Sequence, residues 1–252
     1  MDLSLNDSSV ISWRNATAFG SGWLVLEHAG GTPPSLASFP FAAAGLRNAL
    51  AGMAPQLDVT QFAIVPLADV GAAHSSGSLQ GVAIVLRSDF TDLPALVRTL
   101  EALLEHDGPT LRVPFGPLEW RLRRNESSRA PALEPERWLG FVAGGGTRSA
   151  TRWASATPLM LGRPRQEITW SQREHALQRL IEDACTEVAL PLPSRVFSSP
   201  VSPVRGTRPV PPHRRSRTLT HAVVEFDYPV PGPIILGHGR SLGLGLCLPM
   251  RA

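Results

Sequence analysis

Apolar residues in this chain fall into short blocks of two kinds, and the order of those blocks restricts the fold more than any other feature. Gly22–Glu27, Phe62–Leu67, Leu79–Leu86, Leu111–Val113 and Leu118–Leu122 are strand-length runs. Phe39–Met53 instead places Ala43, Leu46, Leu50 and Met53 at helical spacing. Thr91–His106 does the same with Leu96, Leu100, Leu103 and Leu104, and Thr91 or Asp92 can cap it. In chain order these blocks read βαββαβ, the signature of a ferredoxin-like or RRM-like unit.

A similar order then begins again. Trp153–Leu161 reads as extended, and Ser171 opens a helix running to about Val188. Arg195–Phe197 and Leu219–Phe226 read as strands. The expectation is an α+β fold of two tandem ferredoxin-like (RRM-like) units ending in a glycine-rich loop. Residues 1–20 are expected to be a tail or linker remnant, 21–125 the first unit, 126–150 a linker around Gly144–Gly146, and 151–252 the second unit. Residues 198–217, rich in proline and arginine, read as a long exposed connection.

A chain of 252 residues can bury a substantial core. Its longest apolar runs fall far short of the roughly 20 residues a membrane-spanning helix needs. Its N-terminus lacks the basic and apolar regions of a signal peptide. The expected compartment is therefore cytoplasmic, with no membrane partner. Cys185 and Cys247 are too few for a disulfide framework or a zinc site, and no cofactor is expected. All 24 basic residues are arginine, and they are unevenly spread. Residues 1–110 hold 4 Arg against 10 acids, a net −6; residues 111–252 hold 20 Arg against 11 acids, a net +9. Guanidinium forks match phosphate oxygens, so the basic half points to a nucleic acid.

Near the C-terminus, Gly237, Gly239, Gly243 and Gly245 bracket Arg240 and Ser241. A Walker A loop is excluded because the chain has no lysine. The dinucleotide fingerprint is excluded by the spacing Gly237-x-Gly239-x-x-x-Gly243. Two readings remain. One is a turn whose N–H groups and Arg240 cradle phosphate, making Gly237, His238, Gly239, Arg240, Ser241, Gly243 and Gly245 RNA-binding. The other is a tight strand-to-strand connection with no ligand.

These features together resemble a known family. His221-Ala-Val-Val-Glu225-Phe226-Asp227, Val230-Pro-Gly232-Pro233 and Leu236-Gly237-x-Gly239-Arg240-x-x-Gly243-Leu244-Gly245-Leu246 resemble the C-terminal signature of the RAMP-superfamily endoribonucleases that process CRISPR RNA. The similarity is to the repeat-cleaving half of the fused subunit of type I-G (formerly I-U) systems. Phe62-x-x-Val65-Pro66-Leu67-x-x-Val70-Gly71-x-x-His74-x-x-Gly77, Thr157–Leu161, and Leu190-Pro191-x-Pro193 leading to Ser202-Pro203-x-x-Arg205-Gly206 agree with it. The resemblance implies two RRM-like folds and metal-independent cleavage of the CRISPR repeat. It also implies retention of the processed guide RNA in an effector complex, so the partners are the repeat hairpin and other complex subunits. The fused subunit usually carries a further module ahead of this one, so the chain is expected to be a split product or a fragment.

Metal-free RNA cleavage needs a base for the 2′ proton, an acid for the 5′-leaving oxygen and a cation for the phosphorane. Histidine and arginine suit these roles. The family often carries two histidines in the loop after the second strand. Ala72 stands at the first position, which leaves His74 as the expected catalytic residue. His238 is expected on the RNA backbone, and His221 is expected to be structural. Arg205, Arg208, Arg214, Arg215 and Arg217, with His213 among them, are expected to grip the repeat hairpin. The alternative is the same fold holding RNA without cutting it.

Overall fold

The computed structural model describes residues 11–12, 19–30, 33, 35–106, 110–113, 116–122, 130–142, 148–162, 170–210 and 218–251. Its first half contains β1 (Ile11–Ser12), β2 (Phe19–Gly30), α1 (Phe39–Met53), β3 (Phe62–Ala68), β4 (Leu79–Arg87), α2 (Leu93–His106), β5 (Thr110–Val113) and β6 (Gly116–Leu122). Pro40 falls in the first turn of α1, where no intrahelical N–H is lost. Asp92 caps α2, its carboxylate accepting the Ala95 N–H at 3.3 Å.

The strands lie in the order β3-β4-β2-β6-β5, each antiparallel to its neighbour. Leaving aside the added edge strand β5, that is second, third, first, fourth in the βαββαβ order, the ferredoxin-like arrangement. Ile64, Ile84 and Leu24 align across three strands, as do Ala63, Val85 and Trp23 in the next row, and all six are fully or nearly fully buried. Both faces of the central strands are therefore covered. This is why Phe62–Leu67 reads as one apolar run rather than an alternation. Leu46 and Leu50 of α1 and Leu96 and Leu100 of α2 join this core.

Residues 130–142, inside the expected 126–150 linker, are packed structure. Pro131 and Pro135 open two 3-10 turns, Pro131–Leu133 and Pro135–Trp138. The first packs on β3 and β4. Leu133, Trp138 and Leu139 are buried, and the Trp138 indole N–H donates to the Ala132 carbonyl at 3.3 Å. Gly144–Gly146 lie outside the described residues. Within the expected 1–20 tail, β1 pairs with β2 through Ile11 and Trp23, and β2 itself begins at Phe19.

The second half contains β7 (Phe141–Val142), β8 (Arg148–Ser155), β9 (Leu159–Leu161), α3 (Trp170–Thr186), β10 (Arg195–Ser199), β11 (Thr218–Pro231) and β12 (Cys247–Met250). Strand order β10-β11-β8-β12 repeats the second, third, first, fourth pattern, again antiparallel throughout. The fold is α+β, with two ferredoxin-like sheets. Ile181, Ala184 and Cys185 of α3 and Trp153 of β8 belong to the shared core. A second helix, expected between β11 and β12 in such a unit, is absent. The glycine-rich run occupies that place, with only a 3-10 turn at Arg240–Leu242. Among the described residues no helix is long and apolar enough to cross a membrane.

Candidate nucleic-acid interface

Two groups of the expected site residues are brought together, each where the second half of the chain meets the first. The first group joins the β3–β4 loop to the β10–β11 connection. Asp69 organises the β3–β4 loop. Its carboxylate accepts the Ser76 N–H at 2.8 Å and the Ser76 hydroxyl at 3.0 Å. The Ser76 N–H above all holds this carboxyl below the usual carboxylate range, and the Arg137 charge adds a smaller effect. The Ala72 N–H donates to the Ser75 hydroxyl at 2.9 Å, closing the turn that presents His74 to solvent.

The β10–β11 connection docks on this loop through its backbone. The Gly71 N–H donates to the Arg205 carbonyl at 2.8 Å, and Arg205 Nη1 donates to the Ala73 carbonyl at 3.1 Å. Gly77 and Gly206, both at positive φ, face each other so closely that a Cβ on Gly77 would overlap the Gly206 carbonyl. Residues 198–210 are thus no free loop: Ser202, Val204 and Val210 are buried, and the Ser202 hydroxyl donates to the Ser155 carbonyl at 2.6 Å. Proline and arginine content hides the alternate apolar residues that dock it. Arg205 and Arg208 are exposed on this docked segment. Arg214, Arg215, Arg217 and His213 lie outside the described residues.

His221 anchors the same segment from below and is 1% exposed. Its Nε2–H donates to the Arg208 carbonyl at 3.0 Å, and its Nδ1 accepts from the Ser155 hydroxyl at 2.9 Å. This pairing fixes the neutral tautomer, and burial lowers the pKa below the ordinary imidazole value. Both nitrogens are used, so the expected structural role fits the geometry.

The second group is the glycine-rich turn. Here the expected N–H cradle meets a run whose donors are mostly engaged. His238 N–H donates to Met160 O, Leu242 and Leu244 to Gly239 O, Gly243 to Arg240 O, and Gly245 to Pro158 O. The Leu246 N–H donates to the Thr157 hydroxyl. The glycines at 237, 239, 243 and 245 serve close packing. At Gly243 (φ +75°) a Cβ would overlap the ring of Phe39, at the start of α1. The turn packs on α1 and β3, which fastens the second sheet to the first.

One polar side chain of this turn, His238, remains outward. His238 is 45% exposed, and its Nδ1 lies 4.0 Å from the carboxylate of Glu187, just past the end of α3. Arg240 Nη1 lies 3.9 Å from the same carboxylate. Burial lowers the proton affinity of Arg240 most, Glu187 opposes that shift, and the like charge of Arg87 adds to it. Ser241 is half-buried in the same turn. Glu187, Asp69 and Arg137 are the side chains that sequence reasoning missed. Glu187 and Arg137 meet their partners only through the tertiary fold, whereas Asp69 bonds Ser76 within its own loop.

Thiol chemistry finds no support here, since Cys185 and Cys247 are buried and burial raises both thiols, that of Cys185 to about 12. Among the described residues, no three His, Cys, Asp or Glu side chains gather as a metal site requires.

No family model and no curated protein matches the chain. Two solved structures are similar to it in fold. One is described as a RAMP protein binding different RNA substrates: 8% identity, 91% of this chain and 98% of that chain covered, TM-score 0.42. The other is a Cas6 product complex: 15% identity, 90% and 99% covered, TM-score 0.38. The ferredoxin-like assignment stands on strand order and register.

Proposed function

We propose that this protein binds the hairpin of a CRISPR repeat RNA, cleaves it by 2′-OH attack without metal, and stays on the guide RNA in a type I effector complex. The observation that carries the reading is the docking of the arginine-bearing β10–β11 connection on the His74 turn. RNA cleavage needs an imidazole and a cation about one phosphate. Docking sets Arg205, from the half of the sequence with net charge +9, on the turn that carries His74, in the half with net −6. On this reading His74 takes the 2′ proton, Arg205 and Arg208 hold phosphates, and Arg240 contributes a second basic point.

Repeat hairpin RNA, bound and then incubated in chelator, tests the reading. Affinity should fall steeply with salt, because neutralised phosphates release counterions. Cleavage should leave a 2′,3′-cyclic phosphate, and a 2′-deoxy nucleotide at the scissile position should bind without being cut. A protein that binds no hairpin RNA, or binds it equally at low and high salt, refutes the reading.

A second reading, a guide-RNA cap without nuclease activity, is favoured by one observation. Among the described residues no charged group pairs with His74. Tight, salt-sensitive binding with no cyclic-phosphate product would establish it.

A further inference from the structure

The outer edge of β8 is broken. β7 and β12 both pair on the side of β8 away from β11, and they lie end to end. Phe141 stands opposite Ser149 and Met250 opposite Arg152, so Ala150 and Thr151 fall in the gap between the two short strands. On the other side β11 bulges at the same place, its register passing from Glu225 opposite Arg152 to Val230 opposite Ala150. Among the described residues Thr151 therefore has no partner residue in any of the three ladders.

A cavity of about 270 Å³ occupies the gap. Its lining includes Phe141, Ser149, Thr151, Pro229, Met250 and Arg251, and no acidic residue. Phe141 is 37% exposed, and the Arg251 guanidinium lies 5.6 Å from its ring centroid, within cation–π range. Among the described residues Arg251 forms no ion pair, and the hydroxyls of Ser149 and Thr151 make no hydrogen bond. A ring face, a planar cation and two unpaired hydroxyls thus meet in one place. They fit a flat ligand with an apolar face and a hydrogen-bonding edge. A nucleobase has that chemistry, since its face stacks on an aromatic ring or a guanidinium and its edge takes polar groups. A phosphate would make no use of the ring, and an aliphatic side chain would leave the hydroxyls unpaired. The cavity is smaller than the roughly 300–1,000 Å³ that encloses a drug-sized ligand. It takes one base and leaves sugar and phosphate outside, where Arg251 is exposed. A base inside a hairpin stem is stacked and paired, so the base that enters must come from a single-stranded stretch.

We propose that this gap is a stacking site for one unpaired nucleobase, with Phe141 as its platform and Arg251 as its clamp. The proposal rests on the RNA-binding part of the reading above. It adds a contact to single-stranded RNA, apart from the grip on the hairpin.

The test measures binding of the full chain to a repeat hairpin in three forms: blunt, with unpaired tails of about six nucleotides, and with the same tails made abasic. A 2′-deoxy scissile nucleotide keeps all three uncut. Abasic tails keep the phosphates and lose the bases, so the comparison isolates stacking. The parent should bind the base-bearing tails about 5–100-fold more tightly than the abasic ones, the worth of a stacked base. Phe141→Ala should erase that preference and leave affinity for the blunt hairpin unchanged, while Phe141→Trp should keep it. Arg251→Ala should reduce it about 2–30-fold. Phe197→Ala removes a more exposed ring from β10, at the far edge of the sheet, and should leave the preference intact. A parent that binds base-bearing and abasic tails alike overturns the stacking site while hairpin binding stands. A Phe141→Ala protein that keeps the preference also overturns it, and leaves this face to a protein partner. A loss in Phe141→Ala that falls equally on the blunt hairpin is structural and overturns it too. A parent that binds none of the three forms removes this proposal and the RNA-binding reading together.

Discussion

Replacing Gly77 with alanine should break the docking of the two loops, and its cost can be worked from the structure. Gly77 has φ +72°, which an alanine adopts at a cost of about 1 kcal/mol. The added methyl group would overlap the Gly206 carbonyl, so the two backbones must separate. Separation endangers the Gly77 N–H bond to Asp69 O (2.8 Å) and the Gly71 N–H bond to Arg205 O (2.8 Å). Each is worth about 1 kcal/mol net. The expected destabilisation is therefore roughly 2–4 kcal/mol, or a fall of roughly 5–15 °C in Tm for a chain of this size. Gly52→Ala is the matched control. Gly52 lies within α1 with nothing within 4 Å of a built Cβ, so the same substitution should stabilise by about 0.5–1 kcal/mol. Urea unfolding of both variants decides the matter. A Gly77→Ala protein within 0.5 kcal/mol of the parent (on the order of ordinary surface substitutions) would refute the claim that this contact is tight.

Two further outcomes are expected. His221 is buried neutral with its pKa lowered, so the unfolded chain binds more protons. Stability should be full above about pH 6.5 and decline as pH falls from there toward the folded pKa; the urea midpoint of His221→Asn should change less between pH 7.5 and 5.5 than that of the parent. Asp69→Ala should remove the acceptor for Ser76 and loosen the His74 turn by about 1 kcal/mol, the solvent-screened end of the range for a charged acceptor. Hydrogen exchange at the Ser76 amide, faster by about fivefold, is the measurement.

The helices and central strands were legible because their signals are local. The apolar stripe of α1 and the continuous run in β3 each follow from the burial of neighbouring residues, and α1 spans the 39–53 expected from its spacing. The packed turns at 131–138 were not legible: arginine, glutamate and proline dominate the composition around them, and the large apolar side chains that turn inward, Leu133, Trp138 and Leu139, follow no regular spacing. The glycine run shows the limit most clearly. Its spacing announces that a backbone must approach something closely. It does not say whether that partner is a phosphate or Phe39 of a distant helix. Glu187 carries no local signal, since a carboxylate just past a helix end reads as ordinary surface.

The missing helix between β11 and β12 explains why the two halves meet as they do. A ferredoxin-like unit ordinarily covers one sheet face with two helices, and among the described residues of the second unit α3 is the one α-helix. Ile234, Ile235, Leu236 and Leu246 nevertheless lie in the core, almost without exposure. Part of their cover comes from the first unit: the Arg240–Leu242 turn packs on α1 and β3, with Phe39 set against Gly243. The shortened crossover lets α1 approach, and glycine lets the backbones touch. The same contacts hold Arg240 at the boundary between the halves, while Leu248 of β12 and the Arg205 carbonyl meet Gly71 on the β3–β4 loop. Both candidate groups of site residues are thus by-products of one structural substitution. A helix in that place would have completed the second unit by itself and left His238, Arg240 and Glu187 no common boundary to share.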